Sequence, residues 1–77
     1  MLIEFGSTLG NGYDVVSSLN EDTGAWTTQV FNFNKEPVCD PVISHSEVDA
    51  RFVTNEIVSG FQNLCISGYV KHNSKLE

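Results

Sequence analysis

Basic side chains are what this sequence has least of: four Lys and Arg stand against ten Asp and Glu, a formal net charge of −6. Phosphate backbones are gripped by clustered Lys and Arg, so direct binding of DNA or RNA is excluded as a function class. Long apolar runs are also missing. The longest are short stretches such as Leu64-Cys65-Ile66, whereas a bilayer-spanning helix needs about 20 residues, so no membrane partner is expected. Met1 runs directly into Leu2, Ile3, Glu4 and Phe5 with no basic leader ahead of an apolar region, and the chain reads as cytoplasmic. No Walker, Rossmann, serine-nucleophile-elbow or zinc-protease pattern occurs, and there is no Asp-x-Asp-x-Asp-Gly calcium loop. Gly10-Asn11-Gly12 is too short to cradle a phosphate. No cofactor is implied.

Cysteine and histidine are few, and their placement limits what they do. Cys39, His45, Cys65 and His72 have the composition of a tetrahedral zinc site but not the paired, two-to-four-residue spacing such sites use, so no metal is assigned. A Cys39–Cys65 disulfide fits only a chain exported from the cytosol. Cys39 lies six residues before His45, which gives a thiol and a base for a small cysteine enzyme. However, no helix begins just after Cys39 to favour the thiolate, and Pro41 stiffens the segment.

What is present is a core-forming composition. Apolar residues make up 40% of the 77, with five Phe, two Tyr and one Trp, against 18% charged; this is too rich in core formers for a disordered chain. A chain this short buries only about 60% of its unfolded surface, enough for one core. Residues 1–75 are read as one domain, and Leu76-Glu77 matches the pair that a cloning site leaves ahead of a purification tag. Stability gained from a partner or from a homodimer suits so small a core.

Asn11-Gly12 suits a two-residue hairpin turn between strands around Leu2–Leu9 and Tyr13–Leu19, a register that sets Phe5 opposite Ser18 and Leu9 opposite Asp14 and leaves each face half apolar. A longer loop or a short helix after Gly12 is the other way to read it. Asn20-Glu21-Asp22-Thr23-Gly24 is a second turn. From Ala25 to Asn34 apolar and polar residues alternate, which predicts a strand with Phe31 and Phe33 inward. Pro37 and Pro41 confine residues 38–43 to an edge strand or extended connector.

The segment 45–59 decides the fold class. Ala50, Val53, Thr54, Ile57, Val58 and Phe61 fall on one helical stripe, with Ser44 and Glu47 as a capping box and Gly60 near the end. Val48, Ala50 and Phe52 also alternate as a strand would, but the alternation stops at Phe52. Helix is preferred. A closing strand through Leu64, Ile66 and Val70, with a bulge at Gly68, and a frayed tail from His72 complete an α+β fold: three to four antiparallel strands packed by one helix. The alternative is an all-β barrel or sandwich. The expected core is Phe31, Phe33, Val53, Ile57, Phe61, Leu64 and Ile66.

Residues 1–56 hold nine acids and only Lys35 and Arg51, a charge of −7, while residues 57–77 carry +1 through Lys71, Lys75 and Glu77. A basic protein surface is the natural partner. On the wheel, Val48 and Phe52 lie one turn apart on the back of the helix, among Asp49, Arg51, Asn55 and Glu56. Either the 36–43 connector covers them or they form a small apolar contact ringed by charge. Trp26 reads first as a core anchor and second as an interface aromatic. The function expected is a non-enzymatic protein-binding module that uses Val48, Phe52, Glu47, Asp49, Glu56 and Trp26. A specific form of it is an inhibitor that mimics nucleic acid toward a nucleic-acid-processing protein. A self-associating structural subunit and a cysteine enzyme are the rivals.

Overall fold

The computed structural model describes residues 1–61 and 65–73. Its elements run β1 (Leu2–Leu9), β2 (Asp14–Leu19), β3 (Trp26–Phe31), β4 (Val42–Ser44), α1 (Glu47–Phe61) and β5 (Cys65–His72). The strands form one antiparallel sheet in the order β4-β3-β2-β1-β5. The α+β class therefore holds and the all-β alternative does not, but among the described residues there are five strands rather than three to four.

The first hairpin turns on three residues, not two. Gly12 donates its amide to Leu9 O (3.0 Å), Leu9 donates to Tyr13 O (2.8 Å), and Gly12 sits at φ 89, where an L side chain is strained. The extra loop residue moves the register by one, so Phe5 pairs with Ser17 and Thr8 with Asp14. Phe5 and Leu9 then share a face with Val15 and Leu19, and the half-apolar faces of the two-residue turn disappear. The second turn forms as expected: Gly24, at φ 77, donates to Asn20 O (2.8 Å), and Asp22 N–H donates to Asn20 Oδ1 (2.9 Å).

β3 presents the opposite parity from the one expected. Trp26, Thr28 and Val30 are buried, Phe31 is half-buried and Phe33 is exposed. The cause is Asn32, whose side-chain carbonyl accepts the amides of Asn34 (2.9 Å) and Glu36 (3.0 Å) and ends the strand at Phe31. Lys35 takes positive φ (69) within the same turn. With the strand cut short, pairing of Val15 with Val30 and Ser17 with Thr28 fixes which side faces inward. Residues 37–44 follow the outer edge of β3 as a bridge at Pro37 and the short strand β4.

Ser46, not Ser44, caps α1. Its Oγ accepts the Asp49 amide (3.2 Å) and its carbonyl accepts Ala50 N–H (3.0 Å). Ser44 instead lies buried in β4 opposite Trp26. The helix rests over β2, β3 and β4 and carries the chain from one edge of the sheet to the other. Ala50 and Thr54 are buried, and Val53, Ile57 and Val58 are half-buried, as the stripe required. Of the remaining expected core, Leu64 and the side chains of Phe61 and Ile66 lie outside the described residues.

Two apolar clusters fill the layer between helix and sheet. Phe5, Trp26 and Ala50 pack with Leu2 and Leu19; Leu9, Val15 and Val30 pack with Tyr13, Ile57 and Val58. Between them lie three buried hydroxyls. Ser17 Oγ meets Thr28 Oγ1 at 2.7 Å and Thr54 Oγ1 at 3.0 Å, and Thr54 donates to Ala50 O at 2.9 Å. An unpaired buried hydroxyl costs about 1–3 kcal/mol; this mutual arrangement avoids that cost and ties helix to sheet.

Candidate interaction surfaces

The outward face of α1 is built by its heptad spacing. Val48 is 76% and Phe52 65% exposed, one turn apart, and the 36–43 connector does not cover them. Glu47 and Asp49 occupy the first turn, where the helix dipole favours carboxylates, and Glu56 follows Phe52 by one turn. Arg51 is held between two partners: its Nε donates to Glu47 Oε2 at 2.9 Å, and its guanidinium lies 4.7 Å from the centre of the Phe5 ring. This arrangement pairs Glu47 with Arg51, whereas Asp49 and Glu56 form no ion pair among the described residues. Trp26 does not join them. It is only 4% exposed, with its ring 5.4 Å from that of Phe5, so its place is the core and it leaves the expected contact set.

The face of the sheet opposite the helix is mixed: Val16, Phe31, Ile43 and Tyr69 stand on it among polar residues such as Glu4, Thr8 and Asp14. Thr8 donates to Asp14 (2.7 Å) and Lys35 reaches the same carboxylate (3.0 Å); those contacts hold the Asp14 carboxyl below its ordinary value. Tyr69 folds its ring over Gly6 and donates its phenol to Glu4 Oε2 at 2.6 Å. Partial burial, reinforced by the Glu4 carboxylate, pushes that phenol up to about 12.

On the helix side, two hollows flank α1. One, of ≈ 420 Å³, lies between the helix and β5 and is lined by Phe5, Ser7, Arg51, Asn55, Gly68 and Val70. The other, of ≈ 470 Å³, is lined by Tyr13, Val30, Val38, Cys39, Ile57 and Gly60.

Cys39 is a free, exposed thiol whose carbonyl accepts Gln29 Nε2 at 2.6 Å. The Cys39–Cys65 disulfide is not formed. Cys39 borders β3, which β2 and β1 separate from β5, and at about 4.8 Å per strand this exceeds the reach of a disulfide. His45 follows β4 at one edge of the sheet and His72 ends β5 at the other. Among the described residues no three His, Cys, Asp or Glu side chains converge as a metal site, and no helix is long and apolar enough to cross a membrane. No protein-family model, no curated protein and no solved structure matches the chain.

Proposed function

We propose that this protein is a non-enzymatic binding module that docks on a basic protein surface through the outward face of α1. The observation that carries this reading is the exposed pair Val48 and Phe52, set beside Asp49 and Glu56 on a helix whose opposite stripe is anchored to the sheet. An apolar centre with a charged rim is the usual anatomy of a contact site. Nine of the ten acids precede residue 57, so the field around that centre is negative and draws cationic partners toward it. In its specific form, the carboxylates take the place of phosphates in the groove of a protein that handles DNA or RNA.

The test is competition. Basic DNA- and RNA-binding proteins from the source organism are loaded with a labelled duplex and titrated with the chain, with release followed by fluorescence anisotropy. Displacement that weakens steeply with added salt, and falls by about tenfold or more on Phe52→Ala or on charge reversal at Asp49 and Glu56, is the expected result. Displacement indifferent to salt excludes the mimic, and displacement indifferent to Phe52→Ala excludes this face.

A further inference from the structure

We infer that a second copy of this chain pairs with the outer edge of β5, extending the sheet across a two-fold axis at Tyr69. The two edges of the sheet differ. β4 is three residues long and follows Pro41, so it offers little ladder to an incoming strand. β5 is eight residues long, holds no Pro, and has only Lys71 and His72 as polar guards near one end. Val70 on this strand is 57% exposed, on the side facing the hollow beside α1. Long, apolar, unguarded edges attract further strands.

Charge selects a copy of the same chain as the occupant. From Ile57 to Leu76 the sequence holds no acid, whereas Asp40 and Glu47 flank β4 at the other edge, so β5 is the edge at which two molecules of net charge −6 meet without opposing carboxylates. Antiparallel pairing about Tyr69 sets Val70 of each copy against Gly68 of the other. Gly68 has no side chain, and the nearest atom to a Cβ built there is the Gly6 carbonyl at 3.4 Å, so the position is a seat for the facing valine. Each Val70 is thereby set in line with Gly68 and Ser7 of its neighbour, at the rim of the ≈ 420 Å³ hollow that those residues line. Tyr69, folded back over Gly6 on the other face, leaves the axis clear. The two Lys71 residues stand four positions apart along the paired strands, about 13 Å, beyond the screening length of about 8 Å at physiological salt.

Sedimentation velocity on the full chain over a range of concentrations reads the outcome. A species of twice the 8.5 kDa monomer mass is expected, weakened by about tenfold or more in Val70→Lys and in Gly68→Val, and untouched by Phe52→Ala, which separates it from the α1 docking reading. Should a β5 variant fail to fold, amide exchange on the unaltered chain decides: protection of residues 68–72 that rises with concentration supports the pairing, and unchanged protection overturns it. A monomer at every concentration, or a dimer indifferent to both β5 variants, also overturns it; the first leaves the edge to a strand of another protein.

Discussion

Tyr69 and Gly6 form the most sharply defined pair at the scale of single residues. A Cβ at position 6 meets the Tyr69 ring at 2.5 Å, and the ring end of an exposed side chain yields more readily than a β-strand, so Gly6→Ala turns the phenol away from Glu4. The expected readout is a tyrosinate titration. In the parent protein one phenol ionises at about 12 rather than 10.0; in Gly6→Ala that midpoint returns toward the ordinary value. The sign follows from the protonated form being the one the fold holds. The stabilising contribution is whole below pH 10 and disappears as pH rises through about 12. A midpoint that stays high in Gly6→Ala removes the burial over Gly6 and the Glu4 contact as its causes.

Helix and sheet meet through hydroxyls, and that joint is testable at the scale of the element. Ser17→Ala leaves Thr28 and Thr54 each short of a partner and is expected to cost about 1–3 kcal/mol in denaturant unfolding. Adding Thr54→Val removes the hydroxyl that Ser17 also met, so the double variant loses less than the two single costs combined; strict additivity rejects the coupling. Ser46→Ala removes the α1 cap and is expected to cost about 1 kcal/mol. α1 itself was readable because six positions repeat one spacing, and no local competitor matches that. The cap was not, since Ser44 and Ser46 both precede an acid three residues on, and only pairing of Ser44 with Trp26 assigns the first to the sheet. The parity of β3 was hidden for a related reason. Trp26-Thr28-Val30 and Phe31-Phe33 are each plausible inner faces, and the choice rests on Asn32 ending the strand through its side chain.

For the whole molecule, strand order sets what is available to partners. Val48 and Phe52 were readable as a pair because a helical wheel is a local construction, whereas the edge position of β5 depends on β1 joining it across 56 to 70 residues of sequence. The same non-locality decides between the two readings of Trp26: the first, a core anchor, is the one that holds once the helix lies over β3, and the interface reading falls away.

The placement of α1 on one side of the sheet has a geometric corollary for any assembly that lengthens the sheet through β5. A two-fold axis normal to the strands carries both helices to the same side, so the paired molecule offers two identical Val48/Phe52 patches in one direction. A target with a repeating basic surface then engages both at once, and the local concentration of the second patch converts two modest contacts into a single long-lived attachment.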